Sequence, residues 1–280
     1  METQETSKGK SLFSILVIVI ALITSFLLYK FVLGSPSNFE GNDPSKHPLE
    51  GNYLGLVYKG GIIVPFLMSF FLMVLAFSIE RVITMLGAYG KGSVTGFVRK
   101  IKSLLLKNDI DAAIAECDKQ KGSVGNVVKE VLGKYKQMSR DTRLTPEQKV
   151  EAIQKELEEA TALELPMLEK NLTILATLAS VSTLVGLLGT VIGMIKAFAA
   201  LATAGAPDAV ALANGISEAL INTALGILAS AIAIISYNLF TSKIDELTYS
   251  IDEIGFAITQ SFSANYSNLP SREKEKSVVL

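Results

Sequence analysis

Glu218, Asn222 and Thr223 stand inside one long apolar stretch of this chain, and Thr183 and Thr190 stand inside another. A carboxylate in such a stretch is costly to place in hydrocarbon, so it ordinarily faces a cavity or an ion path. Glu218 and Asn222 are four residues apart and would share one face of a helix. Threonine hydroxyls both donate and accept, which suits Thr190 and Thr223 to a hydrated path. Other readings stay open at this point. Glu218 lies near the end of its stretch and could snorkel to the interface. Threonines in membrane helices also bond back to their own i−4 carbonyl. Lys196, six residues after Thr190, reads as a snorkelling interface residue.

The other reactive groups are few. The 280 residues include one histidine, His47, one cysteine, Cys117, and no tryptophan. A single cysteine excludes an internal disulfide and a cysteine-based metal cluster within one chain. No Cys/His or Ser/His pair stands in a context that suggests a nucleophile. A net charge of −1 gives no basic field for nucleic acid. The expectation is a protein that is not an enzyme and needs no metal or cofactor.

The elements that must position these residues follow from the composition. Apolar residues make up 49% of the chain and charged residues 19%, against about 25% charged in ordinary soluble domains. The apolar residues fall in four blocks, Leu12–Leu33, Ile62–Leu86, Leu172–Ala202 and Gly215–Phe240. Each is long enough to cross about 30 Å of hydrocarbon, which takes roughly 20 residues. The first block follows Lys8 and Lys10 as a signal peptide would. It is longer than the roughly 7–15 apolar residues of a signal, and Gly34-Ser35-Pro36 follows it in place of a small-residue cleavage site, so an uncleaved helix is expected.

Residues 34–60, with Pro36, Pro44 and Pro48, read as an irregular polar loop holding a solvated His47. Pro65 suits the first turn of the second helix, and Glu80-Arg81 close that block as an interface ion pair or as the start of an extension. Residues 87–170 carry fifteen of the 26 Lys and Arg. Phe97, Ile101, Leu104 and Leu105 recur there at helical spacing, as do Ala113, Ile114 and Cys117, then Val127, Val128, Val131, Leu132 and Tyr135. Thr145-Pro146-Glu147-Gln148 predicts a capped helix start, with a helix running from there to Glu169 and directly into the third block. Residues 203–214 read as a short linker, and Lys243–Phe262 as a further amphipathic helix before a charged tail.

The chain thus divides into an N-terminal tail and transmembrane helix (1–33), a loop (34–60), a transmembrane helix (61–86), a helical domain (87–170), two transmembrane helices with a short linker (171–240), and a C-terminal helix and tail (241–280). Lys and Arg concentrate on the cytoplasmic side of membrane proteins. That places 87–170 and both termini in the cytoplasm, with 34–60 and 203–214 opposite. The fold class expected is an all-α integral membrane protein with four transmembrane helices and long cytoplasmic helical extensions. Gly186, Gly189 and Gly193 in the third block, and Gly215, Ala219, Gly226 and Ser230 in the fourth, form small-residue faces that let helices approach closely. Two readings fit them: packing within one monomer, or a tight ring between subunits.

The segments Leu184-Val-Gly-Leu-Leu-Gly-Thr-Val-Ile-Gly-Met194 and Gly215-Ile-Ser-Glu-Ala-Leu-Ile-Asn-Thr-Ala-Leu-Gly226, with Tyr237-Asn238, strongly resemble the ExbB/TolQ family, a relative of the MotA flagellar stator subunits. The resemblance covers about Ile62 to Phe240, including Glu80-Arg81 and the stretch Asp111-Ala-Ala-Ile-Ala-Glu-Cys117. It implies a homopentameric ring in the inner membrane of a Gram-negative bacterium. Such a ring encloses two helices of a single-span ExbD- or TolR-like partner bearing an essential aspartate, and converts ion-motive force into motion. For an ExbB-like protein a TonB-like protein is a further partner, and membrane lipid surrounds the ring. The family's channel glutamate falls on Glu218 and its pore threonines on Thr190 and Thr223.

This sequence departs from the family in its additional first helix, in Thr183 and Ile232 where prolines are common, and in Asn214 before Gly215. Asn222 adds a polar group beside the glutamate and leaves the coupling ion open between proton and sodium. The function implied is an ExbB-like proton channel and motor subunit serving TonB-dependent transport. The alternatives are a TolQ-like motor for envelope maintenance, a MotA-like stator and, from a different class, a secondary transporter. A stator would show a torque-bearing charge cluster, and a transporter would show inverted repeats with broken helices; neither pattern is found here.

Overall fold

The computed structural model describes residues 2–202 and 208–266, with side chains from Ser14 onward. The charged tail and residues 203–207, the first part of the expected 203–214 linker, lie outside the described residues. Those residues are helical almost throughout, with one isolated bridge between Phe39 and Pro48. They fall into two compact units, the first drawn from Met1–Arg81 and Asn171–Leu239, the second from Val82–Lys170 and Phe240–Leu280.

The first unit holds α1 (Glu2–Leu27), continued by a π-helical turn over Leu28–Leu33, and the short α2 (Tyr53–Tyr58). To these it adds most of α3 (Val64–Tyr89), α8 (Leu172–Leu201) and the front of α9 (Ala209–Tyr266). Among the described residues, four helices are long and apolar enough to cross a membrane. Many of their large apolar side chains point outward, Ile23, Leu184, Ile195, Ile227 and Ile235 among them, although Leu67, Phe77 and Leu175 are buried. Their small ones point inward, with Ala197, Ala219, Ala229 and Ala233 buried. This inverts the pattern of a soluble helix and is what lipid permits, because hydrocarbon competes equally for leucine but cannot fill the gap between two backbones.

Three sequence expectations change. Helix α8 does not continue α7 (Pro146–Glu169), because Asn171, in the left-handed region with φ of 66°, separates them; asparagine tolerates that conformation better than most residues. The fourth block begins earlier than Gly215, since Asp208 Oδ1 accepts from Val210 N at 3.0 Å and Ala211 N at 2.9 Å and so opens α9 at Ala209. Residues 209–214 are therefore helix rather than linker, and α9 runs without a break through the expected amphipathic segment to Tyr266.

The third change is in the 34–60 loop, which is folded. Asn38 Nδ2 donates to Val32 O at 2.7 Å and to Leu33 O at 2.9 Å. Lys59 Nζ donates to Pro44 O and Ser45 O, both at 3.0 Å, and lies over the Phe39 ring. Phe39 is 1% exposed, and Tyr29 stacks on Tyr58 at 4.7 Å. His47 is exposed.

The second unit is α4 (Val94–Leu106), α5 (Ile110–Gln120), α6 (Gly122–Arg140), α7 (Pro146–Glu169) and the rear of α9. Here the large side chains are inside: Ile101, Val131, Leu132, Tyr135, Ile153, Leu247, Ile251 and Phe262 are buried. Tyr135 meets Phe262 edge to face at 4.9 Å. Thr145 and Gln148 form the capping box. Ion pairs such as Lys100–Glu116 and Lys102–Glu253, each 2.6 Å, lie on the surface. Cys117 packs in the core, and burial pushes its thiol up to about 12.

Candidate functional site

The polar residues of the first unit gather where α8, α9 and the start of α3 meet. The register of that contact is set by glycine. A Cβ at Gly193 would lie 2.7 Å from Ala219 N and Gly215 O, and one at Gly226 would lie 2.7 Å from Ser182 O. A Cβ at Gly215 would lie 2.7 Å from Ala197 N, one at Gly186 3.0 Å from Asn222 O, and one at Gly189 would fall on the Asn222 side chain. All five glycines therefore lie at the α8–α9 contact of this one chain, backbone against backbone.

That register brings Glu218, on α9, to the backbone turn that precedes α3. Glu218 is 8% exposed. Gly61 has φ of 76°, and a Cβ on it would lie 2.5 Å from Glu218 Oε1, so a glycine lets the main chain close against the carboxylate. One turn along the same face, Asn222 is fully buried and its Nδ2 donates to Gly60 O at 2.9 Å. Its Oδ1 has no hydrogen-bond partner among the described residues. The carboxylate and the amide thus sit against two consecutive residues, Gly60 and Gly61.

Lys196 departs from the sequence expectation. Its Nζ does not simply reach for the interface: it lies 2.6 Å from Glu218 Oε1, across the α8–α9 contact. The pairing follows from the glycine register, which places residue 196 opposite residue 218. It also removes the cost of an isolated carboxylate in an apolar surround.

The threonines come together. Thr190 Oγ1 and Thr223 Oγ1 form a hydrogen bond across the two helices. Thr190 Oγ1 also lies 3.3 Å from Gly186 O, and Thr223 Oγ1 lies 3.2 Å from Ala219 O. Each hydroxyl has one proton, so when one threonine donates to its partner the other donates to its own helix. The pair can reverse direction without moving a heavy atom.

A second polar cluster was legible only in part. Arg81, 1% exposed, pairs with Glu80 at 2.6 Å. Asn171 Nδ2 donates to Glu80 Oε2 at 3.2 Å, and Ser14 Oγ donates to Asn171 Oδ1 at 3.0 Å. The chain of contacts joins α1 to α3 and to the residue that separates α7 from α8. Sequence spacing identified the Glu80-Arg81 pair but not Asn171 or Ser14, which lie far away along the chain. The glycine pair at 60–61, directly after a polar loop and before an apolar run, was the available signal for the turn under Glu218.

Chemically, the site offers a nearly buried carboxylate with a cation beside it, a fixed amide carbonyl, and a reversible hydroxyl pair. Such an arrangement can exchange a monovalent cation or pass a proton. Among the described residues no group of three or more His, Cys, Asp or Glu side chains could hold a metal ion.

Comparison with known proteins bears on this geometry. Residues 125–253, which contain Thr190, Lys196, Glu218, Asn222 and Thr223, match the profile of the MotA/TolQ/ExbB proton channel family. The chain is 35% identical over 113 residues to the Tol-Pal system protein TolQ of Pseudomonas aeruginosa, covering 40% of this chain and 49% of that protein. It is 35% identical over 116 residues to TolQ of Haemophilus influenzae, covering 41% and 50%. It is also 35% identical over 80 residues to the biopolymer transport protein ExbB of Salmonella typhimurium, covering 29% and 33%. The matches span half or less of the length of these relatives.

Proposed function

We propose, from the premise that this chain belongs to the MotA/TolQ/ExbB proton channel family, that it is the channel-forming subunit of an ion-driven membrane motor of the ExbB kind. The observation that carries the proposal is Glu218, 8% exposed in an apolar unit and set one turn from Asn222. The hydroxyl pair of Thr190 and Thr223 lies on the same two helices.

In this reading the chain works as a homopentamer in a bacterial inner membrane around two helices of an ExbD- or TolR-like single-span protein. Residues 87–170 and both termini are cytoplasmic, because fifteen of 26 Lys and Arg lie in that segment. Five copies of Glu218 around one axis would repel if all were ionised. Each therefore holds a cation, and successive exchange around the ring steps the enclosed helices. One charge crossing about 150 mV yields roughly 3.5 kcal/mol, enough to bias one step between packed arrangements. The load proposed is TonB-dependent transport through the outer membrane. A TolQ-like role in envelope maintenance is the second reading, favoured by the two TolQ relatives.

The test is Glu218→Ala in the native strain, with assembly confirmed by native gel. Loss of growth on chelated iron, rescued by permeable iron, supports the ExbB role. Detergent sensitivity with normal growth on chelated iron supports the TolQ role. Neither defect in an assembled complex removes Glu218 from the coupling path.

A further inference from the structure

We propose that Lys196 is a gate on the Glu218 site: its ammonium holds the place of the transported monovalent cation and must leave before an ion can bind. The proposal rests on the assignment of Glu218 to the ion path and adds a regulation of that site.

Three observations carry it. Lys196 Nζ lies 2.6 Å from Glu218 Oε1, so this oxygen already has its cation. The two side chains are unequally placed: the lysine is 54% exposed and the glutamate 10%. The lysine therefore approaches from the open side. The backbone of Gly61 closes against Oε1, and Asn222, pinned to Gly60, lies one turn away on the same helix face. The third observation is the buried Asn222 Oδ1, an acceptor with no partner among the described residues, one turn from the carboxylate. It is suited to receive the ion that replaces the ammonium.

The chemistry of lysine fits the role. It presents a compact point charge on a flexible stem, able to swing away and return, where arginine would hold a carboxylate through a planar fork. One negative charge in an apolar surround is neutralised by one cation. Two cations there would leave an uncompensated positive charge, which is as costly as the bare carboxylate. Exchange is therefore one for one, and an ion enters only as Lys196 departs. The threonine pair lies one to two turns along the same helices and continues the path from there.

The experiment uses inverted membrane vesicles from cells carrying the full chain at native level, with an imposed pH gradient followed by a fluorescent amine in sodium-free and sodium-containing buffer. Lys196→Met should speed passive decay of the gradient by about tenfold, a value between those of exposed and buried ion pairs. Lys196→Arg, which would hold the carboxylate through its planar fork, should lower the rate below native, and Lys196→Met combined with Glu218→Gln should fall to the native rate or below. A Lys196→Met rate equal to or lower than native, at equal amounts of chain in the membrane, overturns the gate.

Carbodiimide treatment of native vesicles provides a second route that needs no variant. It should join Lys196 to Glu218 as an amide, seen by mass spectrometry, and slow the decay; coupling that leaves the decay unchanged also overturns the gate. If Glu218→Gln abolishes the flux while Lys196→Met does not raise it, the gate alone fails. If Glu218→Gln leaves the flux unchanged, the ion path itself is wrong and the gate falls with it.

Discussion

The two units of this chain solve the same problem with opposite materials. In the first, bulky residues such as Leu184 and Ile235 face outward, 63% and 66% exposed, and glycines and alanines form the α8–α9 contact. In the second, Tyr135, Phe262, Ile101 and Leu132 form the contact, and the charges face outward. The second unit is held by removal of apolar area from water, a term of about 25 cal/mol per Å². The first has no such term between its helices and relies on close backbone approach and polar contacts. Shape complementarity there tolerates very little change. The same close approach brings Glu218 to Lys196 and Asn222 to Gly60, so the packing device and the candidate site are one structure.

The contrast can be broken most severely at Gly193. In Gly193→Leu, the first added carbon would meet Ala219 N and Gly215 O at 2.7 Å, both backbone atoms that cannot move aside. Overpacking of this kind should cost about 3 kcal/mol, the upper end of the usual range. The expected result is loss of the folded chain in detergent, read by thermal unfolding and protease sensitivity. Survival of the variant at native stability would remove the glycine contact as the organising feature.

A paired truncation sharpens the comparison. Phe262→Ala in the second unit should destabilise it by about 3–5 kcal/mol. Ile235→Ala on the outward face of the first should cost less than about 0.5 kcal/mol. Equal effects in thermal unfolding would mean that both units use the same kind of core. Thr145→Ala should cost about 1 kcal/mol and act locally, through faster hydrogen exchange in the first turn of α7.

The smallest effect expected is that of pH on the surface of the second unit. Lys136 beside Asp111, Lys100 beside Glu116, and Lys243 beside Glu246 hold these carboxyls below their usual range, and Arg143 holds Asp141 at about 2. A depressed carboxylate favours the folded state above its unfolded pKa, about 4. That contribution fades as pH falls through the folded values. The melting temperature of the second unit should therefore be flat from pH 6 to 8 and decline only below about pH 4. Cys117 has the opposite sign: the folded state keeps its proton up to about 12, so stability should fall as pH rises above the thiol's ordinary value of 9.0.

Much of this was legible in the sequence because it depends on local pattern. Membrane length, helical spacing and the Thr145–Gln148 capping box are properties of neighbouring residues. The apolar runs were accordingly read to within a few residues at most ends. The start of α9 is less legible because Asp208 and the Ala- and Leu-rich stretch after it read as linker. The gap before α8 was missed because Asn171 is a milder breaker than glycine or proline. The 34–60 loop looked irregular because Phe39, Tyr58 and Lys59 find partners that spacing does not reveal. The same limit applies to Lys196: its partner is 22 residues away along the chain, and the pairing follows only once the glycine register aligns α8 with α9.

The central claim is that Glu218 lies in the path of the coupling ion. The most direct test is passive decay of an imposed pH gradient in inverted vesicles, comparing the native chain with Glu218→Gln at matched assembly and amount. The account predicts a fall in the chain-dependent rate of at least about tenfold, since a neutral amide cannot carry the exchanged charge. A variant that assembles normally and conducts at the native rate would contradict it.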